Sequence, residues 1–304
     1  MPAPSVELVP PRLLSEPRAP LPGAIRHRSE QECVRLCDGR TRGWGLSYLG
    51  ADCLQRLVSA PELLLAGART WLKDQPGHRV ALVDSESEMA PGIWCCKETT
   101  TRSWWVRWVT TWGSFRAQNA FRQGLCLLRA QIQTPQPLAV MAVTRRGTYH
   151  EYLLTEAIPD AISLQRWLSA PGPSHSGERF RRRCDITRQL GQQLQRLHQH
   201  GFDHRDLKAT NILLSEPSGG SSVWLIDLDG VWRWPWLPSP RRVQNLARLW
   251  AGVALIPNVS ATDALRLLFA YLTPEQRRGW KSLWRQIVRR SAAKISRQRA
   301  LDSV

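Results

Sequence analysis

Between about residues 78 and 158, apolar and polar positions alternate or gather into short runs, a pattern that predicts strands. "HRVALVD" (78–84) and "GIWCCKE" (92–98) read as two strands across the acidic turn "SESEMAP", an antiparallel hairpin by its spacing, and "TYHEYLLTEAI" (148–158) is another strand. Residues 115–131 ("FRAQNAFRQGLCLLRAQ") break the alternation, with Phe121, Leu125 and Leu128 at helical spacing. The expected assembly is a small antiparallel sheet crossed by one helix. Upstream, residues 42–74 mix short apolar clusters with Gly and Pro, which predicts a brief helix or two leading into a first strand. Residues 1–30 are proline-rich and aperiodic, and read as a disordered tail.

Beyond Pro159 the period changes to that of helices. "SLQRWL" is short; residues 178–199 repeat Ile186, Leu190, Leu194 and Leu197 on one face, with Gly201 where a C-cap is expected. Ser260-x-x-Asp263 has the form of a capping box before "ALRLLFAYL", and Thr273-Pro274-Glu275-Gln276 marks another helix start. The chain therefore divides into a tail (1–40), a sheet-plus-helix lobe (41–157) and a helical lobe (158–304), an α+β class with two lobes.

Composition narrows the setting. With 304 residues, 42% of them apolar, the chain can bury a normal core, and no apolar run approaches the ~18–20 residues of a membrane span. With no basic start followed by an apolar stretch, the expected compartment is the cytosol. The seven cysteines are odd in number and scattered, which suits free thiols; Cys33 and Cys37 lack the second ligand pair of a zinc site. A net charge of +17 predicts attraction to polyanions, and fifteen tryptophans favour an interfacial or stacking surface. No nucleic-acid motif accompanies the charge, so nucleic acid is not an expected partner. An anionic membrane surface is: Trp104, Trp105, Trp108 and Trp112 lie near one helical face beside Arg102 and Arg107. At the C-terminus, Trp280, Leu283, Trp284, Ile287 and Val288 form an apolar stripe flanked by Arg277, Arg278, Lys281, Arg285, Arg289, Arg290 and Lys294. Buried packing is the alternative for both segments.

The chemistry is concentrated in "HGFDHRDLKATNILL" (200–214), where His204-Arg205-Asp206-Leu207 and Asn211 match the kinase catalytic-loop pattern H-R-D-L-x-x-x-N. Such a match arises by chance in roughly one random chain in ten thousand of this length. It follows a long amphipathic pattern and precedes a short apolar strand, and "VWLIDLDG" (223–230) then places Asp227 where a magnesium-binding carboxylate belongs. Phosphoryl transfer is mainly positioning and charge neutralisation, which assigns the residue types. Asp206 accepts or orients the proton of the attacking hydroxyl, and Lys208 offsets charge on the transferring group. Asn211 and Asp227 are the Mg²⁺ ligands. An ATP-anchoring lysine is expected on a strand of the first lobe, with Lys97 preferred over Lys73, and the backbone of Glu156 and Ile158 is expected to bind adenine. The segment "VWRWPWLPSPRR" (231–242) is short and carries Ser239 as its one Ser or Thr, so control by activation-loop phosphorylation is not expected.

These segments together resemble the lipopolysaccharide kinase family, the Kdo and heptose kinases within the protein-kinase-like superfamily. The resemblance covers about residues 66–290: "IWCCKE", "GSFRAQNAF", "IQTPQPLAV", "YLLTEAI", the catalytic loop, "LIDLDG", "RRVQNLARL" and "SATDALRLLFAYL". It implies a two-lobed kinase-like fold and ATP- and Mg²⁺-dependent phosphorylation of a sugar hydroxyl on a lipopolysaccharide core glycolipid at the cytosolic membrane face. The chain departs from the wider kinase pattern in three places. No G-x-G-x-x-G precedes Lys97, where "KDQPGH" (73–78) is the nearest turn; residues 115–131 contain no acid, with Ala120 where a lysine-pairing Glu is expected; and Asp229 stands in the place of a D-F-G glycine. Two alternatives follow: a kinase-fold regulator binding nucleotide or an envelope component, and a kinase for another small molecule or a protein.

Overall fold

The structure, a computed structural model, describes residues 32–39, 41–85, 87–88, 90–102, 116–170, 177–216 and 221–302, with side chains to residue 296. The proline-rich segment 1–31 and the tryptophan cluster at 104–112 lie outside the described residues. The chain divides into two compact units, one of Met1–Arg129 with Pro135–Ala157 and one of Ala130–Thr134 with Ile158–Val304.

The first unit contains strands β1 (Cys33–Asp38) and β2 (Thr41–Leu46), helices α1 (Ala51–Ser59) and α2 (Leu63–Ala66), strands β3 (Ala68–Gln75), β4 (His78–Asp84) and β5 (Ile93–Thr101), helix α3 (Arg116–Arg129), and strands β6 (Pro137–Arg145) and β7 (Thr148–Glu156). The strands form one antiparallel sheet in the order β1-β2-β6-β7-β5-β4-β3. Alternation assigns each residue a face. Val34 and Leu36, Ala81 and Val83, Trp94 and Cys96, and Tyr152 and Leu154 pack with Leu54, Leu57, Val58, Leu64 and Leu65 of α1 and α2. Val140, Ala142 and Tyr149 point the other way and pack with Ala117 and Phe121 of α3.

Two expectations are corrected here. The tail does not extend to residue 40, because Val34 and Leu36 alternate with outward polar positions and pair through β1 with β2. The sheet is accordingly larger than the short hairpin-plus-strand read from the sequence, since β1 and β2 extend it beyond β6.

The second unit contains β8 (Ile162–Ser163), α4 (Leu164–Ser169), α5 (Gly177–Gln199), β9 (Phe202–His204), β10 (Ile212–Ser215), β11 (Ser222–Leu225), β12 (Val231–Arg233), α6 (Ser239–Val253), α7 (Ala261–Tyr271) and α8 (Trp280–Asp302). The apolar face of α5 is buried through Ile186, Leu190, Leu194 and Leu197. Where α5 crosses α7, a Cβ built on Gly191 would lie 2.6 Å from both the Cβ of Ala270 and the carbonyl oxygen of Leu267, so only glycine permits this approach. Helix α5 ends at Gly201, which adopts φ +81° and whose carbonyl accepts the Trp234 N–H at 2.8 Å. The Ser260–Asp263 capping box forms reciprocally, at 3.2 and 3.0 Å, and heads α7.

A buried polar triad joins three of these helices. The Asn245 amide donates to Nε2 of His198 at 3.2 Å, so Nδ1 of the same ring donates to the Tyr271 hydroxyl at 2.9 Å. That arrangement requires a neutral imidazole. Most of the apolar stripe of α8 packs within this unit: Trp284 stacks edge-on against Trp250 of α6 with centroids 5.2 Å apart, Trp280 lies 5.6 Å from Phe269, and Ile287 is buried, while Val288 stays exposed. The seven basic side chains around the stripe stay exposed. Among the described residues no helix is long and apolar enough to cross a membrane.

Two outcomes test this account. Gly191→Val should lower the melting temperature, at a cost of about 1–3 kcal/mol for overpacking, in a thermal unfolding experiment. Burial, with the positive charge of Arg242 nearby, pulls the His198 pKa from 6.5 down to about 3. Between those values the unfolded chain binds a proton that the folded chain refuses, so stability is intact above pH 6.5 and falls as the pH drops toward 3. Urea unfolding at pH 7.5 and pH 5 should show that loss, approaching ~1.4 kcal/mol per pH unit, and His198→Gln should flatten it.

Candidate active site

Strand β9 delivers the chain into the catalytic-loop sequence by pairing with β12, with Val231 opposite His204 and Arg233 opposite Phe202. Leu207, Ala209 and Ile212 are then buried at intervals, which anchors the loop from below and leaves the polar residues between them on its surface. Asn211 holds the loop shut. Its Nδ2 donates to the Asp206 carbonyl at 2.9 Å and to the Asp206 carboxylate at 3.0 Å, its N–H donates to the Lys208 carbonyl at 2.9 Å, and its carbonyl accepts the Ile226 N–H at 3.0 Å. The Asp206 carboxylate also receives the Lys208 ammonium at 2.7 Å. Both side chains of that pair are about half exposed, whereas Asn211 is buried. The structure therefore presents one oriented carboxylate beside one cation at a surface.

His204 and Arg205 do different work from Asp206. The His204 ring is fully buried and donates from Nε2 to the Ile226 carbonyl at 3.1 Å, and burial lowers its pKa. With no exposed atom the ring faces no solvent, and it forms a pin between β9 and the segment that leads to Asp227. Arg205 is exposed, with its guanidinium 5.8 Å from the Trp232 ring centroid and its N–H donating to the Gly230 carbonyl at 3.4 Å.

Strand β11 pairs with β10 and places Asp227 just past its end. Asp227 has φ +61° and ψ +60°, a left-handed conformation that costs a non-glycine residue about 1–2 kcal/mol. The Ile226–Asn211 bond before it and buried Leu228 after it hold that turn in place. Its Oδ2 lies 3.5 Å from Asn211 Nδ2, so the two residues expected to bind Mg²⁺ are neighbours. Among the described residues no three His, Cys, Asp or Glu side chains form a metal cluster. One carboxylate and one amide oxygen nonetheless suit Mg²⁺, which takes most of its ligands from phosphate and water.

The sheet unit holds the remaining expected residues. Lys97 is on the interior strand β5, half-buried, opposite Val80 of β4 and Leu153 of β7. Lys73 is on the edge strand β3 and exposed. "KDQPGH" forms the β3–β4 turn, with Gly77 at φ +86° and its carbonyl accepting the Thr100 N–H at 3.0 Å. At the end of β7 the Glu156 N–H donates to the Gln136 carbonyl at 2.9 Å and the Ala157 N–H to the Ile93 carbonyl at 3.0 Å, so both amides are already engaged. Ile158 follows, half-buried. Ala120 is buried on α3. Sequence reading missed Glu151 on β7, a buried carboxylate whose Oε2 accepts the N–H of Ala117, in the first turn of α3, at 2.8 Å. Its alternation with Tyr149 and Leu153 was visible; the register that places it beside β5 was not.

A family model described as the lipopolysaccharide kinase (Kdo/WaaP) family matches residues 96–271, more than half of the chain. A 3-deoxy-D-manno-octulosonic acid kinase of Vibrio parahaemolyticus is 32% identical over 118 residues, 39% of this chain and 44% of that one. One from Xanthomonas campestris is 34% identical over 139 residues, 45% and 49% of the two chains, and one from Xylella fastidiosa is 31% identical over 159 residues, 52% and 56%. The chain thus spans about half the length of the curated relatives it matches. The solved structure of "WaaP in complex with acyl carrier protein" matches with a TM-score of 0.54 and 19% identity, over 77% of this chain and 91% of that one, a likeness of fold. The expected protein-kinase-like α+β fold is therefore present, and the chain belongs to the lipopolysaccharide kinase (Kdo/WaaP) family.

Proposed function

We propose that the chain transfers the γ-phosphoryl group of ATP to a hydroxyl of an acidic sugar, 3-deoxy-D-manno-octulosonic acid, in a lipopolysaccharide core glycolipid. The observation that carries this reading is the Asp206 carboxylate, oriented by Asn211 at 3.0 Å and met by the Lys208 ammonium at 2.7 Å. Asp206 takes the hydroxyl proton as the sugar oxygen attacks phosphorus and the bond to the ADP oxygen breaks. Lys208 offsets charge on the transferring group, Lys97 holds the ATP phosphates, and the backbone of Glu156 and Ile158 receives adenine. Asn211 and Asp227 would hold Mg²⁺, which would supply charge neutralisation for the phosphates. His204 keeps Asp206 and Asp227 in register without touching either substrate.

The acceptor's setting extends the proposal to the cytosolic face of the membrane. Because most of the apolar stripe of α8 packs inside its own unit, membrane attachment would be electrostatic, through exposed Arg277, Arg278, Lys281, Arg285, Arg289, Arg290 and Lys294, each worth ~1 kcal/mol close to an anionic leaflet. A second reading is favoured by buried Ala120 and by the absence of a glycine-rich loop: a kinase-fold regulator that binds nucleotide without turnover.

Transfer of labelled phosphate from ATP to a core glycolipid bearing that sugar should fall about 10²- to 10⁴-fold in Asp206→Asn. Equal label with both proteins would remove Asp206 from the chemistry. A nucleotide-dependent thermal shift in the wild type with no label transferred would favour the regulator. Sedimentation with anionic liposomes should weaken stepwise as the α8 basic residues are changed to Gln, and should weaken in high salt; binding unchanged by both would reject the electrostatic attachment.

A further inference from the structure

Kinases of this general fold hold the ATP-anchoring lysine with a glutamate from the helix that crosses the sheet. Here α3 has no acidic residue, and Ala120 occupies the expected place, buried. A lysine that must sit among ATP phosphates needs a fixed anionic neighbour to set its position. Lys97 must obtain one elsewhere.

The sheet register narrows the choice. Glu98, next in sequence, points to the opposite face, where it meets the Tyr152 hydroxyl at 3.0 Å, His150 Nδ1 at 2.9 Å and Arg79 at 3.4 Å. Glu156 stands opposite Trp94 and shares that other face. On the Lys97 face, Lys97 is opposite Leu153 and Thr99 is opposite Glu151, which makes Glu151 the diagonal cross-strand neighbour of Lys97. Diagonal neighbours lie roughly 7–8 Å apart at the backbone, a gap that two long side chains close. Across β4 to β7, Lys97 is the one lysine or arginine on this face. Glu151 is only 5% exposed, and a carboxylate so placed needs a cation as well as hydrogen bonds.

We infer that Glu151 is the charge partner that positions Lys97 for ATP, supplied by strand β7 in place of the acid that α3 lacks. Its bond to the Ala117 N–H then has a second role. Ala117 is in the first turn of α3, where amide groups favour a negative charge, and Ala120 lies one turn further along. One carboxylate thereby fixes both the helix start and the lysine. Glu151 is a positioning residue: it acts on ATP through Lys97.

The inference rests on Lys97 as the phosphate anchor, and the experiment separates the two. Dissociation constants for MgATP are measured on the full chain for wild type, Lys97→Ala, Glu151→Gln and the double variant Glu151→Ala/Ala120→Glu, each with its melting temperature. Glu151→Gln keeps an oxygen for the Ala117 N–H and removes only the charge. The expected result is about a tenfold weaker affinity in Glu151→Gln at an unchanged melting temperature, a larger loss in Lys97→Ala, and recovery in the double variant, which returns the carboxylate from the helix side. Wild-type affinity in Glu151→Gln beside a loss in Lys97→Ala would reduce Glu151 to a helix cap and overturn the inference alone. Wild-type affinity in Lys97→Ala would overturn the inference together with the anchor on which it rests.

Discussion

The side-chain amide of Asn211 is the bond point on which the helical unit's chemistry depends. Asp206 sits in a tight loop and Asp227 in a left-handed turn, and neither conformation would persist on local preference alone. Asn211 couples them through Asp206 at 2.9 and 3.0 Å, through Asp227 at 3.5 Å, and through its carbonyl to Ile226. An asparagine suits the position better than a third acid, because two carboxylates this close already repel one another. A neutral donor relieves that repulsion where another anion would add to it. The buried His204 ring completes the frame from below, which is why a residue with no exposed atom belongs to the same motif as Asp206.

In the sheet unit the corresponding constraint is register. Strand β5 is paired on both sides over its length, so Lys97 cannot slip by one residue without moving Trp94 and Cys96 out of the core. The β-sheet thus fixes which face each charge occupies, and it separates Glu98 from Lys97 although they are adjacent in sequence.

Legibility in the sequence followed the range of the physics involved. The catalytic loop, the capping box at Ser260 and the glycine at the end of α5 were readable because each is set by neighbours within a few residues. Features that depend on pairing across the chain were not. Strand β1 is short and follows an aperiodic segment, so its two buried residues carried little signal until β2 was seen beside it. The stripe on α8 was visible as a pattern, but amphipathicity does not say what covers it, and Trp250 and Phe269 answer that only in three dimensions. Glu151 was hidden for the same reason, since strand alternation gives its face within β7 and nothing about its neighbour on β5.

Where the acid sits also bears on control. A glutamate carried by a helix can leave its lysine when the helix swings, and many kinases are switched in that way. A glutamate carried by β7 is held by ladder bonds to β5 and β6 on either side, so its distance to Lys97 changes only if the sheet itself is disrupted. The segment after Asp227 is restrained in the same manner: β12 pairs with β9, and the Trp234 N–H is bound to Gly201 at 2.8 Å within a few residues of the Asp227 turn. Both positions are therefore held by strand pairing.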